Sequence, residues 1–194
     1  MSIHHLKSSL QSLLGQLAGR LAAMGLSAGR LTLLTTLVSV GIGALLLARP
    51  EPALFALVPV WMALRTTLDT AKAMQDGKSA KSGYAGEIAG VVSDAALYAP
   101  FALVAPFSLP WLVAIVLLAA FAEFAGARSR TRDDGSRDEG PMGRSDRALL
   151  FGALGALVTL FGTLPAWTWH IQPMTCVLLA WTIANRLRIG FAGA

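Results

Sequence analysis

Long apolar stretches, separated by short polar or charged segments, make up most of this chain. Five of them reach or approach the roughly 20 residues that an α-helix needs to cross about 30 Å of hydrocarbon, and a sixth is shorter and could extend over Trp169–Gln172 at its outer end. They cover Leu31–Ala48, Ala53–Met74, Ile88–Phe107, Trp111–Ala127, Ala148–Leu164 and Met174–Ala184. The pattern predicts an all-α integral membrane protein with six transmembrane helices. These helices are expected to form a bundle over residues 31–188 within a single membrane domain, 1–194.

The first 26 residues have a different pattern. Leucines recur there at helical spacing, and residues such as Lys7, Gln11 and Gln16 lie between them. This spacing predicts an amphipathic helix on the membrane surface, before the first span. Packing of the same helix against the protein's own loops accounts for the spacing equally well.

The composition agrees with a membrane protein. The chain is 55% hydrophobic and 14% charged, whereas a soluble domain has about 25% charged residues. The formal net charge of +5 is a feature of many nucleic-acid-binding proteins, but here the basic residues are distributed according to the predicted spans. We therefore expect membrane lipid as a partner, and no nucleic acid.

The basic residues also predict an orientation. All but two of the 16 lysines and arginines fall in the N-terminal segment, in the last turn of the second span (Lys72) or the loop after it, in the loop after the fourth span, or in the C-terminal segment. The exceptions are Arg49 and Arg65. With six spans, those four segments lie on one side of the membrane, which the positive-inside rule identifies as the cytoplasm. The expected protein has cytoplasmic termini and a cytoplasmic loop at 128–145, and it lies in the bacterial inner membrane.

Ionisable residues are rare within the predicted spans, where they are costly and often functional. They are Arg65, Asp69 and Lys72 in the second span, Glu87 and Asp94 in the third, and Glu123 in the fourth. Arg65 and Asp69 are four residues apart and can pair on one helix face. If the second and third spans pack together, their acids converge near the cytoplasmic interface. Such acids suit either a hard cation such as Mg²⁺ or ion pairs that join the helices.

One segment resembles the motif of a known enzyme family. Asp76-Gly77-Lys78-Ser79-Ala80-Lys81 is followed after eight residues by Gly90, and four residues later by Asp94. The spacing resembles that of the CDP-alcohol phosphotransferases, with Lys81 in place of an arginine. Looser resemblances at 25–33, 140–147 and 185–188 extend the similarity over most of the chain.

The resemblance implies a fold and a reaction. Members of this family are six-span membrane enzymes, often homodimers, in which four aspartates from the second and third spans bind Mg²⁺ or Mn²⁺. An alcohol attacks the β-phosphate of a CDP-linked lipid, a phosphatidyl-type group is transferred, and CMP leaves. The resemblance therefore implies a transferase of phospholipid biosynthesis.

The resemblance also implies roles for particular residues. The expected metal ligands are Asp76, Asp94, Asp69 and Glu87, and Asp94 is also the expected catalytic residue. The expected contacts to the nucleotide phosphates are Gly77, Lys78, Lys81 and Lys72. Arg144 and Arg147 are expected to receive the phosphate of an acceptor. For each single basic residue, a solvated cytoplasmic face that attracts anionic lipid explains the charge equally well.

The motif is incomplete in both registers that the sequence allows. In the first register, Ala73 and Tyr98 stand where the family has its first and fourth aspartates. In the second, Asp69 stands at the second aspartate. The other three positions then hold Thr66, Gly86 and Gly90. Since either register lacks at least two metal-binding aspartates, two hypotheses stay open: a divergent phosphotransferase, and a catalytically inactive relative that acts as a partner or scaffold for an active homologue.

Overall fold

The computed structural model describes residues 27–76, 83–129 and 140–192. Within these ranges it contains the α-helices α1 (Ala28–Ala48), α2 (Leu57–Asp76), α3 (Gly83–Tyr98), α4 (Leu109–Ser129), α5 (Arg144–Phe161) and α6 (Ile171–Ala192). Short 3₁₀ helices lie at Pro52–Ala56, Ala99–Leu103 and Ala166–His170. The described ranges contain no strand, which confirms the all-α prediction for this part of the chain. The amphipathic helix expected in residues 1–26 lies outside the described residues.

Prolines explain two differences between the helices and the predicted spans. The second span begins with the 3₁₀ helix Pro52–Ala56, so that α2 starts only at Leu57. The third starts earlier than predicted, at Gly83, and ends at Tyr98. It ends there because Pro100 has no N–H to donate, and the chain continues as a 3₁₀ helix. The sixth helix is longer than predicted at both ends.

Hydrogen bonds fix the start of α5, and a glycine in a left-handed conformation ends it. At its start, the Asp146 carboxylate accepts the Gly143 N–H at 2.8 Å. The preceding Met142 N–H donates to the Thr182 hydroxyl of α6 at 3.1 Å. At its end, Gly162 has a φ of 75°, a left-handed conformation that glycine adopts without steric cost. The position of α5 relative to α6 is therefore fixed where α5 begins.

Three helix pairs form the most extensive contacts of the bundle: α1 with α3, α2 with α5, and α4 with α6. Glycines permit close approach in two of them. A Cβ built at Gly43 of α1 would overlap the backbone carbonyl of Ala96 in α3. A Cβ built at Gly155 of α5 would lie 3.0 Å from the Val58 side chain at the start of α2. Small residues at such crossings are typical of helices that associate within membranes.

Aromatic side chains fill the core beside α3 and α5. Tyr98 stacks on Phe151 with ring centroids 3.7 Å apart and 13° between the planes. Phe101 packs edge-on against both Phe55 and Phe151, with centroid distances of 5.4 Å. All four rings are fully buried. The ring of Tyr98, which one register of the motif places at a metal-binding position, therefore belongs to the aromatic core.

The outward faces of the six described helices carry large apolar side chains that are exposed. They include Leu34 on α1, Leu64 on α2, Val92 on α3, Phe121 on α4, Leu160 on α5 and Trp181 on α6. By length and composition, α1 and residues 109–126 of α4 are apolar enough to cross a membrane. The remaining described helices are shorter or less apolar, since α3 has only 16 residues, α2 and α5 carry at least three charged residues each, and α6 combines two arginines with several polar residues. The number of spans stays a prediction.

Candidate functional site

Asp94 of α3 forms two buried ion pairs with arginines of neighbouring helices. Its Oδ1 accepts from Arg65 Nη1 of α2 at 2.7 Å, and its Oδ2 accepts from Arg147 Nη2 of α5 at 3.2 Å. Arg65 Nη2 also donates to the Gly90 carbonyl oxygen at 3.4 Å. Arg147 is fully buried, and Arg65 and Asp94 are nearly so. Charge-assisted hydrogen bonds of this kind are stronger than neutral ones, so Asp94 joins three helices.

Glu123 of α4 forms a second set of ion pairs. Its Oε1 accepts from Arg147 Nη2 at 2.7 Å, and its Oε2 accepts from Arg144 Nη2 at 3.1 Å. Arg144 Nη2 also lies 3.5 Å from Glu87 Oε2 of α3. Because Arg147 binds both Asp94 and Glu123, the two sets form one network across four helices.

Asp69 extends the network along α2. Its Oδ1 lies 2.5 Å from Lys72 Nζ, and its Oδ2 lies 3.8 Å from Arg65 Nε. The pair of Arg65 with Asp69, expected from their spacing of four residues, is therefore confirmed. Lys72 Nζ also donates to the Thr35 hydroxyl of α1 at 3.2 Å, so that α1 is joined to the same network.

The eight ionisable side chains of this network form a charge cluster. They are Arg65, Asp69, Lys72, Glu87, Asp94, Glu123, Arg144 and Arg147. Four are positive and four are negative, and each has at least one partner of opposite charge. A buried charge without a partner is very unfavourable, whereas pairing offsets much of the cost of removing it from water. Among the described residues, each charge of the cluster therefore has a partner that offsets part of its cost of burial.

Gly90 gives the Arg144 side chain room beside α3. A Cβ built on Gly90 would overlap the Arg144 guanidinium. A larger residue at position 90 would therefore shift the guanidinium relative to Glu87 and Glu123. The Arg144 side chain is 33% exposed, while those of Glu87 and Glu123 are almost fully buried. Arg144 thus reaches from the surface of the protein into the charge cluster.

Several hydrogen-bond donors within the charge cluster and beside it have no acceptor in the described structure. The Nε and Nη1 of Arg147, the Nε of Arg144 and the hydroxyl of Tyr98 are buried without a hydrogen-bond partner in the described structure. The carboxylates, in contrast, each accept from or pair with cationic groups. A cation site requires the reverse balance, because a metal ion binds to oxygens whose lone pairs are free.

The described residues do not fit the divalent-metal site that the resemblance implies. Mg²⁺ and Mn²⁺ need several oxygen ligands directed at one point. In residues 27–76, 83–129 and 140–192, no group of three or more His, Cys, Asp or Glu side chains is arranged to hold a metal. The carboxylates of Asp69, Asp94 and Glu123 are directed at arginine or lysine instead. Asp76 ends α2, and its side chain lies outside the described part of the chain.

The structure brings together six of the residues that the resemblance singles out. They are Asp69, Lys72, Glu87, Asp94, Arg144 and Arg147. Gly77, Lys78 and Lys81 lie outside the described residues, so their expected roles stay predictions. Within the described residues, the second and third helices do not form a closely packed pair: α3 packs chiefly on α1 and α4, and α2 packs chiefly on α5. Their acids reach one cluster through the long arginine side chains between them.

Glu123 has a central position that the sequence motif does not indicate. Its place within the strongly apolar fourth span singles it out in the sequence as a rare ionisable residue, but no role follows from that place alone. Spacing along the sequence could not predict the contact of Arg65 with Asp94 either, because the two residues lie on different helices. Pairing across helices depends on how the bundle is assembled.

Comparison with known proteins finds a relative of nearly equal length. The chain is 29% identical over 192 residues to the inner membrane protein YnbA of Escherichia coli strain K12, in an alignment that covers 97% of this chain and 96% of that protein. No protein-family model matches the chain, and no solved structure matches it significantly. This similarity and the apolar helices α1 and α4 support a membrane protein of the bacterial inner-membrane type.

Proposed function

We propose that the chain is a six-span protein of the bacterial inner membrane, with both termini in the cytoplasm. Support comes from the large apolar side chains on the outward faces of the six described helices, which lipid would cover. Most of the charged residues that make α2, α3 and α5 less apolar contribute to the charge cluster, as expected of ionisable groups inside a membrane. The similarity to an inner membrane protein adds to this support.

The chain is further proposed to be a catalytically inactive relative of the CDP-alcohol phosphotransferases that acts as a partner or scaffold for an active homologue. The observation that carries this proposal is the pairing of the acids with cationic groups. Asp94 and Glu123 each bind two arginines, and Asp69 lies between Lys72 and Arg65. Such carboxylates have few free lone pairs for a metal ion, and the neighbouring guanidinium groups repel a cation.

The positions of Gly90 and Tyr98 support the second register of the motif. Gly90 borders the charge cluster, whereas the ring of Tyr98 stacks in the aromatic core. In the second register Gly90 replaces the fourth aspartate, and the Arg144 guanidinium lies beside it. A guanidinium group beside the position of a missing metal-binding carboxylate supports the proposal that the chain is an inactive relative.

An active phosphotransferase is the second candidate. It is favoured by the convergence of Asp69, Asp94, Arg144 and Arg147 in one cluster, since the resemblance implies a site that joins acids to phosphate-binding arginines. In this candidate, metal and substrate must displace the arginines from the carboxylates.

Release of CMP distinguishes the two candidates. The purified protein in liposomes is supplied with CDP-diacylglycerol, Mg²⁺ or Mn²⁺, and serine, glycerol phosphate or inositol phosphate as the alcohol. The wild-type protein is expected to release no more CMP than the Asp94→Asn variant does. Release by the wild type that Asp94→Asn abolishes would establish the active candidate. In a second arm, co-reconstitution with an active homologue is expected to change the rate at which that homologue releases CMP, and an unchanged rate would contradict the partner role.

A further inference from the structure

The ion pairs of Arg147 show how far α5 extends toward the proposed cytoplasmic side of the bundle. Arg147 pairs with Asp94 of α3 and with Glu123 of α4, so the three residues lie at a similar level. The helix α5 begins only three residues before Arg147, whereas α3 begins eleven residues before Asp94. At a rise of 1.5 Å per residue, α5 therefore stops about 12 Å short of α3 on this side.

The outward face of α5 is apolar over a short distance. Its most exposed large side chains are Leu149 and Leu160, with 76% and 75% of their surface exposed. Asp146 precedes Leu149 by three residues, so it lies on the same helix face, and it is exposed as well. The apolar stretch Ala148–Phe161 covers only about 20 Å, compared with about 30 Å of hydrocarbon in a bilayer.

The apolar surface of α3 continues beyond the level at which α5 becomes polar. Ile88 is 53% exposed and lies six residues to the cytoplasmic side of Asp94. Asp146 lies one residue to the cytoplasmic side of Arg147, the partner of Asp94. Apolar surface on α3 therefore extends about 7–8 Å further toward the cytoplasm than it does on α5. A flat bilayer that covers Ile88 would also bury the carboxylate of Asp146, which is unfavourable.

We infer that the cytoplasmic leaflet is depressed beside α5, where phospholipid headgroups contact Ser145 and Asp146. The inference rests on the six-span topology under the proposed function, and it adds a surface that binds phospholipid headgroups. A bilayer becomes thinner beside a span that is shorter than its hydrocarbon. Ser145 and Asp146 are both exposed and offer a hydroxyl and a carboxylate to the headgroups and their water. Leu149 then lies at the edge of the hydrocarbon.

The test measures the depth of nitroxide spin labels on the full-length protein in liposomes of dioleoylphosphatidylcholine. Cys176, the single cysteine of the chain, is replaced by Cys176→Ser, and the label is attached in Leu149→Cys or in Phe121→Cys. The two positions are matched, because each is exposed and lies two residues to the outer side of its member of the Arg147–Glu123 pair. The label at 149 is expected to have a several-fold higher ratio of collisions with a water-soluble nickel chelate to collisions with oxygen.

A longer apolar face on α5 should reduce this difference. Asp146→Leu, with the label at 149, is expected to lower the nickel-to-oxygen ratio toward the value of the label at 121. Asp146→Asn is the control, since asparagine stays polar and can still accept the Gly143 N–H that Asp146 accepts. It is expected to leave the ratio unchanged. If Asp146→Leu does not fold, Ser145→Leu leaves that hydrogen bond in place and is expected to lower the ratio as well.

Three results would overturn the inference. Equal and low ratios at the two labels would show a flat leaflet and would leave the proposed spans in place. Equal and high ratios would contradict the depression together with the membrane span at α4, and so would count against the proposed topology. A label at 149 that is shielded from both the chelate and oxygen would show that another protein chain, rather than phospholipid, covers this face of α5.

Discussion

Arg147→Ala is expected to lower the free energy of unfolding by about 3–5 kcal/mol, the loss typical of breaking a buried ion pair from one side. Arg147 is fully buried, and its Nη2 donates to both Asp94 and Glu123. Alanine would leave those two carboxylates inside the bundle with only Arg65 and Arg144 as cationic partners. The free energy of unfolding is measured by reversible unfolding of the detergent-solubilised protein in SDS, and the helix content is monitored by circular dichroism.

Arg188→Ala on α6 is the control for this variant. It also removes one arginine, but from an exposed position. Exposed substitutions away from special features usually change stability by less than about 0.5 kcal/mol, and this is the expected result. If Arg147→Ala destabilised the protein no more than this control does, the carboxylates would not depend on the guanidinium, and the account of the charge cluster would be wrong.

Gly43→Ala is expected to lower the free energy of unfolding by roughly 1–3 kcal/mol, the usual cost of overpacking. A Cβ at this position would overlap the backbone carbonyl of Ala96, and a backbone atom of a packed helix cannot turn aside as a flexible side chain does. The helices α1 and α3 must therefore move apart. The same unfolding measurement in SDS gives the loss.

Gly41→Ala provides a matched control on the same helix. A Cβ built at Gly41 meets nothing within 4 Å, so the substitution changes helix propensity but not the contact with α3. Alanine is favoured over glycine in helices, so stability is expected to be unchanged or slightly higher. Equal losses at the two positions would mean that the crossing of α1 and α3 is not as close as the structure has it.

The helices could be predicted from the sequence because their signal is local. An apolar stretch such as Leu31–Ala48 is long enough to define a helix on its own, and the helix found there ends at the predicted residue. The ends were less predictable where prolines act, as at Pro100, since the sequence shows that a helix is interrupted but not that the chain continues as a 3₁₀ helix.

The charge cluster could be predicted only in part, because its pairs join different helices. The sequence places Arg65 four residues before Asp69, and this pair is present. It does not show that Asp94 of α3 is closer to Arg65 than Asp69 is, with contacts of 2.7 Å and 3.8 Å respectively. Nor does it show that Glu123 holds the two arginines of α5, since that depends on how α4 and α5 are placed. Long-range packing decides the partners of each acid.

We propose that the chain's own cationic side chains, rather than a metal ion, neutralise the described acids of the charge cluster. A double-mutant cycle on Arg65 and Asp94, with Arg65→Met, Asp94→Asn and the combined variant, tests it most directly, because the two side chains are 2.7 Å apart. Unfolding is measured in EDTA and again in Mg²⁺. We expect a coupling energy above about 1 kcal/mol that is the same in both solutions, as for residues in one ion-pair network. Two results would contradict this proposal. One is that the stability losses of the two single variants in EDTA add up to that of the combined variant within about 0.5 kcal/mol. The other is that Asp94→Asn lowers the free energy of unfolding only in Mg²⁺.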